Sequence, residues 1–296
     1  MLLTILAARQ GWHTEQLYRA LVEQGHEGRV LAYETLVARL GTGVRGAPAL
    51  RGGDADLLAG DAVLVRIIPN GSLEQIIFRV DLLHWLEDCG VRVMNSARAI
   101  ERTVDKFYAS ALLQRAGLAT PETVVCERSD DAIAAFRSMG DVIVKPIFGS
   151  MGLGMVRVSD EETAWRVFRA LDAIRGVYYV QRVIEHDGRD VRAFVVGDRV
   201  IGAIERRATG WRTNISRGGE ARAFALPAEW QELALRAARA VDAEYAGVDL
   251  LPSRTGAVYV LEVNGIPGWR GLQEATSLDV AGAIVRQLTA RGADAP

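Results

Sequence analysis

The chain has 296 residues, 49% hydrophobic and 24% charged, which is the composition of a globular protein with ample apolar material for a core. Its 35 basic and 37 acidic residues leave a net charge of −2, so neither a nucleic-acid-coating surface nor a polybasic membrane anchor is expected. No apolar run approaches the ~18 residues of a membrane span, and the 2 cysteines and 4 histidines lack metal-site spacing. We therefore expect a cytoplasmic protein with reduced cysteines and with neither nucleic-acid nor membrane partners.

The first hundred or so residues alternate between strands and helices, as in a small α/β lobe. The pattern predicts strands over Leu2–Ala8, Gly28–Tyr33, Asp61–Ile68 and Val91–Met94, helices over Thr14–Gln24 and Ser72–Gly90, and a loop over Gly41–Gly53. The continuous apolar character of the first strand is typical of a buried parallel sheet.

Two further lobes are predicted after it. The helices are predicted over Asp105–Ala116, Asp130–Met139, Glu161–Leu171, Ala228–Ala243 and Val280–Ala290, and the strands over Thr123–Cys126, Asp141–Lys145, Met155–Val158 and Tyr178–Ile184. Two hairpins, Arg189–Arg206 and Gly247–Asn264, flank a long loop over Ala208–Ala221. Because no long linker separates these segments, we expect three lobes that pack on one another, with boundaries at 1–97, 98–180 and 181–296.

Lysine is rare in this sequence: 33 of the 35 basic residues are arginine, and only Lys106 and Lys145 are lysine. Lys145 ends a predicted strand and leads into a loop with Gly149, Gly152 and Gly154. Glycines let backbone N–H groups approach phosphate oxygens, and a slim lysine adds a point charge. No helix follows, so the stretch is neither a P-loop nor a dinucleotide fingerprint. It is either a phosphate-binding loop, which we favour, or a hairpin loop without a ligand.

The second hairpin carries two carboxylates and an amide. A turn near Thr255 places Asp249 opposite Glu262, and Asn264 shares their face because it lies two residues after Glu262. Opposed carboxylates with no basic residue between them repel each other, and oxygen ligands of this kind suit Mg²⁺. The face is therefore a magnesium site, which we favour, or a pair of solvated surface acids.

The first hairpin carries a dense mixed-charge face. A two-residue turn at Gly197–Asp198 pairs Arg192 with Ala203 and Asp190 with Glu205. That face carries Asp190, Arg192, Glu205 and Arg207. It is either an anion clamp beside a phosphate site or a salt-bridged surface.

These motifs, in this order, resemble the ATP-grasp superfamily and, more closely, its RimK-like amino-acid ligases. The resemblance covers nearly the whole chain and is densest over Asn95–Ala281, in KPIFGSMGLGM, GRDVRAFVVG, TGWRTNISRGG, AGVDLL and LEVNGIPGW. It implies an α/β ATP-grasp fold with an N-terminal Rossmann-like pre-ATP-grasp domain. It also implies ATP, with Mg²⁺ or Mn²⁺, as cofactors.

The resemblance further implies roles for the matching residues. Those binding ATP would be Lys106, Lys145, Gly149, Ser150, Gly152, Gly154, Gln181, Arg182, Val183, Asp190, Arg212 and Asn214. The metal ligands would be Asp249, Glu262 and Asn264, and the catalytic arginines Arg192, Arg207 and Arg212. The chain departs from relatives at the hinge, where Gln181-Arg182 replaces Gln-Glu, and after Asn264, where Trp269 either stacks on an aromatic acceptor or lies in the core.

The activity implied is that of an ATP-dependent carboxylate–amine ligase that forms an acyl phosphate and releases ADP and phosphate. The substrates implied are L-glutamate and a carboxylate of a small pterin- or furan-type cofactor. A glutamate ligase acting on a protein or peptide C-terminus, a carboxylating or D-alanine-joining enzyme and a non-catalytic ATP-binding regulator remain alternatives. We expect a homo-oligomer.

Overall fold

The structure, a computed structural model, describes residues 1–41, 49–149, 153–207 and 220–290, and it confirms the predicted α/β class. The strands are β1 (Leu2–Ala7), β2 (Glu27–Ala32), β3 (Leu36–Arg39), β4 (Ala49–Gly52), β5 (Ala55–Asp56), β6 (Ala62–Val65), β7 (Arg92–Met94), β8 (Thr123–Cys126), β9 (Val142–Lys145), β10 (Val156–Val158), β11 (Tyr178–Arg182), β12 (Arg189–Val196), β13 (Arg199–Arg207), β14 (Glu220–Ala223), β15 (Tyr245–Pro252) and β16 (Val258–Asn264). The helices are α1 (Trp12–Glu23), α2 (Leu73–Asp88), α3 (Ala97–Val104), α4 (Lys106–Arg115), α5 (Ser129–Met139), α6 (Glu161–Ala173), α7 (Ala228–Ala240), α8 (Arg270–Thr276) and α9 (Val280–Ala290). None of these helices is both long and apolar enough to cross a membrane.

The first sheet is parallel, as its apolar strands predicted. Its strands lie in the order β2-β1-β6-β7. Leu3, Ile5 and Leu6 of β1 are fully buried, which explains why that strand has no polar face. All carboxyl ends of a parallel sheet meet at one edge, and here the Tyr245 hydroxyl of β15 donates to the Val65 carbonyl at the end of β6. The edge therefore faces the third lobe.

The other two large sheets are antiparallel. The middle sheet has the order β10-β9-β11-β8, and the third has the order β14-β13-β12-β15-β16. One apolar core joins the first sheet to the third, because Leu3 and Leu17 pack in the same cluster as Phe194, Trp269 and Ile284. Continuous apolar packing of this kind holds the two lobes in one orientation.

The sequence patterns missed several short features. One is β14, which begins inside the loop predicted over Ala208–Ala221; the rest of that loop up to residue 219 lies outside the described residues. The loop predicted over Gly41–Gly53 contains β4, which pairs with β3 and β5 in a small antiparallel sheet. Strands of two to four residues are too short to show a period-2 pattern. Helices α3 and α8 were missed for the same reason, since eight and seven residues span about two turns.

The first hairpin has a different register from the predicted one. Its turn at Gly197–Asp198 is correct, with Val196 opposite Arg199, but a β-bulge lies between Phe194 and Val195. A bulge adds one residue to one strand and shifts the pairing beyond it. The predicted pairs Arg192–Ala203 and Asp190–Glu205 are therefore wrong, and the pairs observed are Arg192–Ile204 and Asp190–Arg206.

Candidate active site

The carboxylates of the second hairpin lie opposite each other, as predicted, but an arginine lies between them. Asp249 pairs with Glu262 across β15 and β16. Arg192, on the neighbouring strand β12, donates from Nε and Nη2 to the two Asp249 carboxylate oxygens at 2.7 and 2.7 Å, and its Nη2 is 3.8 Å from Glu262 Oε1. The expectation that no basic residue separates the acids is wrong, because the base comes from a strand far away in the sequence.

A second arginine completes a buried charge network that we call the paired-charge network: Asp190, Arg192, Arg206 and Asp249. Arg206 donates to both Asp190 oxygens at 2.6 and 2.6 Å and lies 2.9 Å from Asp249 Oδ2. Burial alone would raise the pKa of Asp249, but the guanidinium groups of Arg192 and Arg206 hold that pKa well below its usual range. Every member of the network has a partner of opposite charge, which buried charges require.

Arg207 does not belong to this network, which corrects the predicted Arg192–Arg207 clamp. With Asp190 opposite Arg206, strand alternation turns Arg207 to the other face of the sheet. There its Nε donates to Glu205 Oε2 at 2.5 Å, and 58% of its side chain is exposed. Arg206 was missed because two consecutive arginines exchange faces when the register shifts by one residue.

The two lysines approach Glu262 from the middle lobe and from α4. Lys145, 8% exposed at the end of β9, donates to Gln181 Oε1 at 3.0 Å and lies 4.9 Å above the Tyr179 ring. Burial lowers the pKa of both Lys145 and Lys106, while the Glu262 carboxylate raises it. The structure thus brings the chain's only lysines to one site, together with a carboxylate of the third lobe.

Lys106 is the first residue of α4 and holds the start of the glycine-rich loop. Its Nζ donates to the carbonyl oxygens of Ile147 at 3.1 Å and Gly149 at 2.7 Å. Gly149 and Gly154 have φ angles of 132° and 75°, a region that favours glycine. The predicted ligands Ser150, Gly152, Arg212 and Asn214 lie outside the described residues.

The predicted adenine hinge begins in the last two residues of β11, and both of those side chains bond to protein groups. Besides accepting from Lys145, the Gln181 side chain donates from Nε2 to Thr123 Oγ1 at 2.9 Å. Arg182 forms an ion pair with Glu122 at 2.7 Å, so the residue that replaces the usual glutamate is bound to the rim of the middle sheet. The Val183 N–H donates to the Asp141 carbonyl at 3.0 Å. A contact with adenine remains a prediction for this hinge.

The predicted metal ligands offer oxygen atoms of the kind that Mg²⁺ binds. The Glu262 side chain is 43% exposed, and its pKa is raised by the protein atoms that close around it and by the charge of Asp249. The Asn264 Oδ1 accepts from the Ile266 N–H at 2.9 Å. The described part of the chain contains no cluster of 3 or more His, Cys, Asp or Glu side chains able to hold a metal. The donor set fits Mg²⁺ through Glu262 and Asn264 together with phosphate oxygens, and it includes Asp249 only when Arg192 moves away.

Asn95, at the end of β7, connects the first lobe to both strands of the hairpin that carries these ligands. It is fully buried, and its Nδ2 donates to the carbonyls of Tyr245 at 2.8 Å and Gly265 at 2.6 Å. Its Oδ1 accepts from the N–H groups of Glu244 at 2.7 Å and Tyr245 at 3.1 Å. A fully satisfied buried amide specifies one geometry, so Asn95 positions the residue next to Asn264.

Trp269 lies in the core, which was one of its two predicted locations. It is 1% exposed and packs near Trp12 and Phe194, at ring-centroid distances of 6.2 and 6.4 Å. Arg66 covers one face of its ring at 4.8 Å. The alternative, an aromatic acceptor stacked on Trp269, is wrong because that ring is enclosed by protein.

The chain resembles proteins of known family over most of its length. A model of the RimK-like ATP-grasp domain family matches residues 103–288. The chain is 39% identical over 257 residues to a tetrahydromethanopterin:alpha-L-glutamate ligase of Methanosarcina acetivorans, covering 77% of this chain and 79% of that one. It is 33% identical over 292 residues to a probable alpha-L-glutamate ligase of Trichodesmium erythraeum, covering 94% of this chain and 92% of that one.

Among solved structures, the ATP-grasp ligase PsnB complexed with minimal precursor, Mg, and ADP has the same fold. The TM-score is 0.75 at 22% sequence identity, over 98% of this chain and 97% of that one. The chain therefore belongs to the RimK-like ATP-grasp family, has the ATP-grasp fold that its motifs predicted, and is an ATP-dependent ligase.

Proposed function

We propose that this protein uses ATP and Mg²⁺ to join the amine of L-glutamate to a carboxylate of a small pterin- or furan-type cofactor. The relatives named as glutamate ligases support the amino acid, and one of them, named for tetrahydromethanopterin, supports a pterin. The observation that carries the proposal is the convergence of Lys106, Lys145 and Arg192 on Glu262. Three cations around one accessible carboxylate form a site that accepts the phosphates of a nucleotide and its metal ion.

Within that site, Lys106 and Lys145 bind the ATP phosphates as point charges, together with backbone N–H groups of the loop that begins at Gly149. The hinge over Gln181–Ile184 contacts adenine through its main chain. A ribose contact of Asp190 remains a prediction, since Arg206 bonds both Asp190 oxygens. Arg212 and Asn214, outside the described residues, take the predicted places beside the phosphates. Glu262 and Asn264, joined by Asp249 after Arg192 has moved, hold Mg²⁺, which when bound supplies positive charge that offsets the charge of the phosphate oxygens.

In the first step, a carboxylate oxygen of the acceptor attacks the γ-phosphorus of ATP. The bond between that phosphorus and the ADP oxygen breaks, giving an acyl phosphate and ADP. The transferred group spreads its charge over its equatorial oxygens, so catalysis rests on positioning and on cations already in place. Lys145 supplies that charge here, since Gln181 holds it before the substrate arrives, and Arg192 adds its charge once it has moved away from Asp249.

In the second step, the amine nitrogen of glutamate attacks the acyl carbon and forms a tetrahedral intermediate. The carbon–oxygen bond to phosphate then breaks, and the amine loses a proton as the amide forms. Arg192 stabilises the oxyanion, because a planar guanidinium donates two parallel hydrogen bonds. Arg206 stays at Asp249 Oδ2 when Arg192 turns toward the substrate, which leaves Asp249 Oδ1 for the metal ion. The predicted catalytic role of Arg207 is not part of this proposal, since its side chain lies on the other face.

A phosphate-release screen tests the proposal. Each amino acid is paired with pterin and furan cofactors that bear a carboxylate, and with peptides that end in glutamate. We expect release of phosphate and ADP only when L-glutamate and a small cofactor are both present. Turnover with peptides alone would assign a peptide-tail ligase. Release of AMP and pyrophosphate would overturn the acyl-phosphate mechanism, and ATP binding without turnover would indicate a regulator.

The homo-oligomeric state, the cytoplasmic location and the lobe boundaries at 97 and 180 remain predictions.

A further inference from the structure

Arg66 is a buried cation without an acidic partner. It directly follows β6, is 3% exposed, donates from Nη1 to the Pro267 carbonyl at 3.2 Å, and lies 4.8 Å over the Trp269 ring. No carboxylate of the described residues lies within ion-pair distance of its guanidinium, and the rest of the sequence holds 1 acidic side chain, Asp294. A buried charge that meets only neutral groups is costly to maintain.

The location of Arg66 is the usual place for a ligand in this kind of sheet. In open α/β sheets, ligands bind outside the carboxyl ends of the parallel strands, and Arg66 lies at that end of β6. Its partner Pro267 packs beside Arg192 of the proposed site, because a Cβ on Gly247 would lie 3.0 Å from Pro267 Cβ and 3.4 Å from Arg192 Cδ. An anion bound there would lie next to the reacting groups without occupying their place.

The surroundings of Arg66 also favour an anion. Burial, Arg66 and Arg270 together lower the pKa of His13 to about 4, so the His13 ring is neutral at pH 7. Its Nε2 accepts a hydrogen bond from the backbone N–H of Trp269 at 3.3 Å. Arg270 is already paired with Glu274 at 2.8 Å, so Arg66 is the charge in this group that lacks compensation by an acid. Arg79 has a different role, because its Nη1 donates to the Pro69 carbonyl at 2.7 Å and orders the segment that follows Arg66.

We propose that Arg66 binds the side-chain carboxylate of the amino-acid substrate, at a subsite between the end of β6 and the segment Pro267–Trp269. The ligand class is a dicarboxylic amino acid, whose amine reacts while its carboxylates remain intact. The inference rests on the proposed function for the identity of the amino acid, and on the uncompensated guanidinium for the charge of the bound group. Arg66 contacts substrate and selects an acidic amino acid over its amide.

The decisive variant is Arg66→Met, which keeps an unbranched apolar stem and removes the guanidinium and its charge. Its KM for L-glutamate should rise by about tenfold or more, the loss expected for one charged hydrogen bond. The KM for ATP should stay within about twofold, and the preference for glutamate over glutamine should shrink. Arg79→Met is the matched control, because Arg79 is also buried with a carbonyl partner, and it should leave the discrimination between glutamate and glutamine intact. An unchanged KM for glutamate together with a lower melting temperature would overturn the subsite and make Arg66 structural.

A binding measurement on the unaltered chain keeps the test independent of turnover and of how well the variant folds. Glutarate at millimolar concentration should raise the melting temperature, because a ligand that binds only the folded state stabilises it, while neutral glutaramide should not. Arg66→Lys, which keeps the charge, should retain part of the glutarate shift. If both compounds act alike, the subsite does not exist. If glutarate binds through Arg66 but no amino acid supports phosphate release, the proposed ligase activity fails and the anion subsite stands.

Discussion

Two arginines of this protein are equally buried, but only one of them has acidic partners among the described residues. Arg206 in the third lobe and Arg66 in the first are both 3% exposed. Arg206 lies between Asp190 and Asp249 within the paired-charge network, whereas Arg66 meets a carbonyl and an indole ring. In the third lobe the fold supplies the counter-charge, and in the first lobe the counter-charge has to arrive with a ligand.

Lys145 resembles Arg66 more than it resembles Arg206. Its Nζ donates to an amide oxygen and lies over the Tyr179 ring, and among the described residues no carboxylate is within ion-pair distance. An uncompensated buried cation therefore occurs both where the nucleotide phosphates are proposed to bind and where we place the amino-acid carboxylate. The comparison teaches that a buried cation without an internal acid is a candidate for binding an anionic ligand.

The largest expected effect comes from making the same substitution at the two arginines. Arg206→Met removes the guanidinium that bonds both Asp190 oxygens and contacts Asp249, so the free energy of unfolding should fall by about 3–5 kcal/mol. Arg66→Met removes a charge that has no acidic partner, so unfolding without ligand should change by about 1 kcal/mol or less. Urea unfolding of both variants measures the contrast, and similar losses at the two positions would break the comparison.

The next effect concerns Lys145. Lys145→Met should lower ATP-dependent turnover by at least about a hundredfold, because one preorganised cation is lost from the developing charge. The melting temperature should remain near that of the original chain, since no buried acid loses its partner. Phosphate release and thermal unfolding are measured on the same preparation. Turnover near normal would remove the main support for the nucleotide site.

A smaller effect separates the two faces of the first hairpin. Arg192→Lys should slow ligation by about tenfold, because lysine keeps the charge but cannot make two parallel hydrogen bonds. Arg207→Lys should change the rate less than about twofold, since that exposed side chain pairs with Glu205 on the opposite face. Steady-state ligation rates decide between them, and equal losses would restore the clamp that the sequence pattern predicted.

The smallest effect reports on the charge of Arg66 itself. The folded pKa of His13, about 4, is below its ordinary value of 6.5, so the unfolded chain binds more protons between these values. His13 therefore lowers the free energy of unfolding as pH falls from about 6.5 to 4. Arg66→Met removes one of the charges that lower the pKa of His13, so this pKa should rise toward 6.5. The dependence of the free energy of unfolding on pH between about 4 and 6.5 should then become weaker. NMR titration of the His13 ring measures the shift; an unchanged pKa would mean that the Arg66 charge is neutralised by another group.

Several parts of the site followed from local pattern alone. The turn near Thr255 indicated roughly which residue lies opposite Asp249, and a register shift between Asp249 and Leu250 then sets the pairing with Glu262. The rarity of lysine singled out Lys106 and Lys145, which lie on different elements and meet near Glu262. The parallel first sheet could be predicted from the sequence because a strand buried on both faces is continuously apolar.

The remaining parts required tertiary structure, for a physical reason that differs at each position. A bulge at Phe194–Val195 has no periodic signature, yet it decided that Arg206 and not Arg207 faces Asp190. The position of Arg192 between Asp249 and Glu262 depends on a neighbouring strand 57 residues away, a separation that no local pattern reports. Nothing in the sequence distinguishes Arg66 from the other arginines. Only the packing of Trp269 and Pro267 of the third lobe against it shows that its charge is buried without an acidic partner. Sequence alone thus determined the chemical groups and the strands that carry them. Packing between lobes decided which of the buried charges have a partner of opposite charge. The physical reason is that the free-energy cost of a buried charge depends on the groups around it in space and not on its neighbours along the chain.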